Sequence, residues 1–206
     1  MAHRTLLGMI TPSSNTVLEP IVASAKLLAD ALPSSISWNG TSASWLGFER
    51  DKTLCLAIES ETGVPATSSV LALNELIKKN NIERIALVTP YLGDVQNKII
   101  ENYHSMGVHC VAEVHFEERD NYAFSEFSEA DIEHAIRDLA NSKPQAIIVL
   151  CTNLRAARLV ARLEEDIGIP IYDSIAAVVW KALRLSGVRT DTLAADWGSI
   201  FRQQDS

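Results

Sequence analysis

Short apolar runs alternate along this chain with longer stretches whose apolar positions recur every three to four residues. The apolar runs at residues 4–10, 35–38, 84–88, 108–114, 146–150 and 169–172 predict strands, with a further short strand near 64–66. The amphipathic stretches at 19–32, 50–62, 69–80, 94–106, 129–141, 154–167 and 174–186 predict helices. Gly63, Gly107, Gly168 and Gly187 each stand just past a helical run, where a left-handed terminal residue is favoured. Ser128 and Asp131 have the spacing of a capping box opening the helix at 129–141. Strands alternating with helices predict an α/β fold of parallel β-α-β units with helices on both faces.

The strand ends repeat. Thr11-Pro12-Ser13-Ser14-Asn15 and Asn39-Gly40-Thr41-Ser42 in the first half match Thr89-Pro90-Tyr91 and Cys151-Thr152-Asn153 in the second. Two similar sets of strand-end loops, facing each other across a pseudo-twofold axis, build one pocket between two lobes. The expected division is an N-terminal α/β lobe at 1–80, a C-terminal α/β lobe at 81–188 and a C-terminal extension at 189–206, where periodicity is lost. The halves are unequal. Thr11 and Thr41 lie 30 positions apart, whereas Thr89 and Thr152 lie 63 apart. The first interval has room for one helix, so the first lobe is expected to be short of one helix–strand unit of about 33 residues. A naturally reduced lobe and a deletion or mis-splicing product both fit that count.

Composition narrows the partners. The 206 residues carry 18 Lys and Arg against 26 Asp and Glu, a formal charge of −8, with no basic run. That argues against nucleic acid but not against a small anion met by backbone N–H groups. Three widely spaced cysteines, Cys55, Cys110 and Cys151, show no metal-ligand spacing, and neither do the five histidines. No metal is expected, and a reducing cytoplasm is the simplest compartment. The run before Thr11 is too short for a signal-peptide core, and no stretch is long enough to span a membrane. The loop at 117–125 is long enough to cover a pocket.

Cys151 is the residue with the clearest chemical potential. It follows an apolar strand and precedes the predicted helix at 154–167, placing it at the ligand-binding edge of a sheet and at a helix N-terminus. There the helix dipole is expected to lower its pKa, and the thiol can serve as acid, base or nucleophile. Packing alone is the competing reading. Asn39, Thr41 and Ser42 suit a carboxylate or enolate oxygen, or the cap of the next helix. Gly40 allows close backbone approach or a positive φ but supplies no acid–base group. The Tyr91 hydroxyl offers a donor to a carboxylate, against a packing role. Cys55 and Cys110 read as inert core residues.

Together, Thr11-Pro12-Ser13-Ser14-Asn15-Thr16, Trp38-Asn39-Gly40-Thr41-Ser42, Val88-Thr89-Pro90-Tyr91 and Cys151-Thr152-Asn153-Leu154-Arg155 resemble the motifs of the aspartate/glutamate racemase superfamily. The resemblance is to its maleate isomerase and arylmalonate decarboxylase branch, and it runs to about Val188. It implies a cofactor-free enzyme acting beside a carboxylate, in dimers or larger homo-oligomers. Racemases and maleate isomerases of the superfamily use two cysteines, which fall here at Gly40 and Cys151. Arylmalonate decarboxylases carry glycine at the first position and keep the second cysteine. The resemblance implies that Thr41, Ser42 and Tyr91 cradle a carboxylate that becomes an enediolate, and that Cys151 protonates it from one face. Asn15 and Asn153 match the isomerase pattern, in which the first-strand asparagine helps to bind a substrate carboxylate; Gly40 and Thr152 complete the expected pocket. The expected activity is decarboxylase-like. The alternatives are maleate cis–trans isomerisation, racemisation of the aspartate, glutamate or hydantoin type, and a non-catalytic truncated paralogue.

Overall fold

The computed structural model describes residues 5–11 and 18–203. Within them lie two parallel sheets. The first has three strands, β1 (Leu7–Ile10), β2 (Ser35–Trp38) and β3 (Ala66–Ser68), in the order β1-β2-β3. The second has four: β4 (Arg84–Thr89), β5 (His109–His115), β6 (Ala146–Val149) and β7 (Ile171–Asp173), in the order β5-β4-β6-β7. All pairings are parallel, as the strand–helix alternation predicted. Set side by side, β1, β2 and β3 correspond to β4, β6 and β7. Among the described residues the first sheet has no counterpart of β5.

Helices α1 (Leu18–Ala29), α2 (Ala43–Leu46), α3 (Glu49–Thr62) and α4 (Ser69–Lys79) belong to the first half. Helices α5 (Gly93–Ser105), α6 (Glu129–Ala140), α7 (Val160–Ile167) and α8 (Ser174–Leu185) belong to the second. The Ser128–Asp131 capping box is formed in full, and Gly63 and Gly168 end α3 and α7 in the left-handed conformation. β6 is buried along its whole length, which is why it reads as an unbroken apolar run rather than an alternating one.

The halves meet at two places. α4 packs along α8, and α8 also touches β2 and β3. There the Ser35 hydroxyl donates to the Ala182 carbonyl at 3.1 Å, and Lys181 pairs with Glu75. At the other place α2 packs on α5, and the Asn102 amide donates to the Ser44 carbonyl at 2.9 Å.

One expectation is corrected. The helix expected at 154–167 begins only at Val160. Residues 151–159 instead form turns in which Leu154 and Ala156 are both buried, a spacing of two that a helix face does not give. Residues 189–203 of the expected C-terminal extension are packed against the body of the fold. They fold into two short 3₁₀ turns (Asp191–Leu193 and Ser199–Arg202) around helix α9 (Ala194–Trp197). Ile200 and Phe201 join the larger hydrophobic core, and the Trp180 indole N–H donates to the Gln203 carbonyl. Buried residues here are separated by polar ones with no single period, which leaves no amphipathic pattern along the chain.

Candidate active site

The strand-end loops gather at the carboxyl edges of the two sheets, the edge at which open α/β sheets bind ligands. The loop after β2 brings Asn39, Gly40, Thr41 and Ser42. The Asn39 side chain is a clamp: its amide donates to the Thr11 hydroxyl at 3.5 Å, and its carbonyl accepts from the Ser69 hydroxyl at 3.1 Å. It thereby ties the ends of β1 and β2 to the start of α4. Ser42 precedes α2 without capping it through its side chain. It lines, with Trp38, Leu46, Asp51 and Leu54, a cavity of about 290 Å³. Asn15, named above as a substrate-binding candidate, lies outside the described residues, as do Pro12, Ser13 and Ser14.

Gly40 does not adopt a positive φ. Close approach is what it provides. A Cβ built on it would stand 2.8 Å from Cε2 and from Nε1 of the Trp38 indole.

Tyr91 joins the two sheet edges. Its hydroxyl lies 2.8 Å from Thr41 Oγ1, and it faces the Cys151 sulfur closely enough to hold that thiol's pKa down. The ring is buried between Trp45, with centroids 5.0 Å apart, and Phe124, edge-on at 5.5 Å. Burial, first of all, pushes its phenol well above the usual tyrosine range. Phe124 comes from the loop at 117–125, so that loop packs over Tyr91.

Cys151 is 3% exposed. Its sulfur accepts from the Asn153 amide at 3.4 Å. The expected helix dipole is absent because α7 starts nine residues later. Desolvation dominates and raises the thiol above its ordinary value. The Asn153 N–H, the Tyr91 hydroxyl and the Leu154 N–H oppose that rise, and Asp173 adds to it. Cys151 is therefore a protonated thiol at neutral pH. Thr152 is half-buried beside it. The Asn153 side-chain amide donates to the Asn121 carbonyl at 3.0 Å, anchoring the 117–125 loop.

Asp173 was not singled out from the sequence. It ends β7 in register with Val149 of β6, so it shares the sheet edge with Cys151. One carboxylate oxygen caps α8 by accepting from the Ile175 and Ala176 amides, both at 2.9 Å. The other is buried without a partner. Burial pushes its pKa up to about 7. The available signal was an acidic residue between an apolar run and a helix, which reads as an ordinary cap. Cys55 and Cys110 lie away from this cluster, in α3 and β5. Burial raises them to about 12 and about 11.

Among the described residues no group of His, Cys, Asp and Glu has the arrangement of a metal site, and no helix is long and apolar enough to cross a membrane. The chain is 25% identical over 190 residues to the arylmalonate decarboxylase of Bordetella bronchiseptica, an alignment covering 88% of this chain and 77% of that protein. It is 21% identical over 145 residues to the maleate isomerase of Geobacillus stearothermophilus, covering 69% of this chain and 58% of that protein. Among solved structures, unliganded arylmalonate decarboxylase superposes with a TM-score of 0.78 at 20% identity, covering 89% of this chain and 93% of that one. The Nocardia farcinica maleate cis–trans isomerase carrying a covalently bound succinylcysteine intermediate gives 0.82 at 20% identity, covering 98% and 99%. The sequence model for arylmalonate decarboxylase matches residues 3–201, and the chain belongs to that family of enzymes.

Proposed function

We propose that this enzyme decarboxylates a small malonate-type dicarboxylic acid without a cofactor, through an enediolate that Cys151 protonates. The reading is carried by the Tyr91 hydroxyl, which lies 2.8 Å from Thr41 Oγ1 and also acts on the Cys151 thiol, lowering its pKa. It puts hydroxyl donors next to a proton-bearing thiol.

In this reading the retained carboxylate lies against Thr41, Ser42 and Tyr91. The bond from the α-carbon to the other carboxylate breaks, and CO₂ leaves. Its electron pair stays on the substrate as an enediolate, whose oxygens are stabilised by the hydroxyls. The S–H bond of Cys151 then breaks as the proton passes to the α-carbon. Solvent returns a proton to the thiolate, so the net change is one malonate and one proton giving one monocarboxylate and CO₂. A raised thiol pKa suits this step, because the group is needed protonated before the reaction and is a strong base after it. The same feature weighs against the isomerase alternative, in which a cysteine adds to the substrate as thiolate. Asn153 serves the pocket indirectly, through the covering loop, and Thr152 lines the wall beside the thiol. We assign the site residues to two lobes divided near residue 80, assembled in a homo-oligomer.

The test is a panel of aryl- and alkylmalonates and maleate, offered in D₂O to the parent enzyme and to C151A. The expected result is CO₂ release with one deuterium at the α-carbon, lost in C151A. Conversion of maleate with conserved mass would replace the decarboxylase reading by the isomerase one. Turnover undiminished in C151A would remove the thiol from the mechanism.

A further inference from the structure

Residues two apart on a strand face the same way. Trp38 closes β2, and Gly40 continues the same line into the strand-end loop. The indole leans over Gly40 so closely that a Cβ there would meet Cε2 and Nε1 at 2.8 Å and Cζ2 at 3.1 Å. Such distances are not tolerated between carbon atoms, so indole or loop must move for any side chain to appear at position 40. The indole is held in place by the first hydrophobic core, where it is 2% exposed among Ile21, Ala25, Ile36, Leu54 and Ile58. Gly40 is followed directly by Thr41, which reaches Cys151 through Tyr91. The space beside Gly40 is thus filled by an aromatic wall, next to the groups that would hold the enediolate.

We propose that the Trp38 indole closes the Gly40 side of the reaction centre to any second proton donor, and so fixes the face on which the product is protonated. This rests on the acid role given to Cys151 above. Trp38 is then a specificity-determining residue: it does not react, but it excludes solvent and any opposed acid from one face of a planar intermediate. The absence of a thiol at position 40 is, on this view, enforced by a neighbour rather than being a simple deletion. Restoring a thiol would require changing two residues, because the indole occupies the place where its Cβ belongs.

The experiment compares the parent with W38L, G40C and the double variant G40C/W38L. Thermal melts and iodoacetamide labelling, read by peptide mass spectrometry, report where the introduced thiol goes. The expected result is a lowered melting temperature for G40C, recovered in part by adding W38L. The introduced thiol should label at least about tenfold faster in the double variant than in G40C. G40C melting like the parent, with its new thiol labelled equally in both backgrounds, would overturn the proposal. The second readout is the enantiomeric composition of 2-phenylpropionate formed from 2-methyl-2-phenylmalonate. The minor enantiomer should rise at least about fivefold in W38L, and an unchanged ratio in folded W38L would also overturn the proposal. W38F, which keeps an aromatic ring in the core but removes the outer ring and the indole N–H, takes its place if W38L fails to fold. If the parent turns over no malonate, the Cys151 reading falls, while the labelling comparison still decides whether the indole fills the space.

Discussion

The hydroxyls of Thr41 and Tyr91, fifty positions apart in the chain, lie 2.8 Å from each other at the meeting of the two sheets. One hydroxyl donates to the other, and the bond fixes the position of both oxygens. A carboxylate bound beside them meets hydroxyls that are already held in place.

Y91F tests this relationship directly. The ring contacts with Trp45 and Phe124 remain, so the fold should hold and the melting temperature should change little. Turnover of a malonate substrate should fall about 100-fold, as for loss of one donor to a developing oxyanion. The hydroxyl also restrains the rise of the Cys151 pKa. Alkylation of Cys151 at neutral pH, slow in the parent, should become slower still in Y91F. Faster alkylation in the variant would show that the hydroxyl shields the thiol rather than donating to it.

Asp173 sets a trend of stability with pH. Its folded-state pKa of about 7 lies above the ordinary carboxylate value. Between those two values the folded protein retains a proton that the unfolded chain has released, so stability falls as pH rises through that window. Asp51, raised by burial to about 6, acts in the same direction. D173N keeps an oxygen to cap α8 but cannot ionise. Urea melts at pH 5 and pH 8 should show the parent losing on the order of 2 kcal/mol more than D173N over that range. Equal losses would mean that Asp173 is ionised throughout.

The distribution of legible and illegible features has physical causes. The residues of β2 and β6 are buried on both faces, and such strands announce themselves as short apolar runs; 35–38 coincides with the observed strand. The failure at 154–159 arises where the chain has good helix formers but a competing use for its amides: those of Asn153 and Leu154 face the Cys151 sulfur. The same place misled the electrostatics, since a thiol without a helix behind it is governed by burial. Cys151, Thr41 and Tyr91 were visible as motif residues. Trp38 stood in a motif without a role of its own and Asp173 in none, because their roles come from a ring lying over a neighbour two positions away and from one unsatisfied oxygen. Neither leaves a pattern along the chain.

Asn153 provides a test of the covering loop. Its amide holds the Asn121 carbonyl, and nearby Phe124 packs on Tyr91. N153A removes both hydrogen bonds that its side-chain amide makes to Asn121, to the carbonyl at 3.0 Å and to the side-chain oxygen at 3.3 Å, an effect of about 1 kcal/mol, or roughly fivefold in an opening equilibrium. Hydrogen exchange in the 117–125 segment should speed up by about that factor, with exchange in β6 unchanged. Unchanged exchange in the loop would mean that Phe124 alone holds it.

The C-terminal stretch should be indispensable. Phe201 is 3% exposed in the larger core, and the Thr190 hydroxyl donates to its carbonyl at 2.8 Å. F201A should cost about 3–5 kcal/mol, as a buried Phe-to-Ala change does. Chemical denaturation measures it, and a loss below about 1 kcal/mol would mark the segment as merely adherent.

The unequal sheets carry a consequence for engineering. In the first sheet β1 stands at the margin, whereas β4, its counterpart, is flanked by β5. The connection from α1 to β2 crosses at Asp30–Ser34, the natural port for a transplanted helix and strand. A segment patterned on β5 and α6, spliced there, would place its strand along β1 and its helix as the crossover to β2, without breaking the β1–β2 or β2–β3 ladders. The chain is in that sense a chassis with an open slot, into which a new pocket wall can be fitted while the second sheet stays untouched.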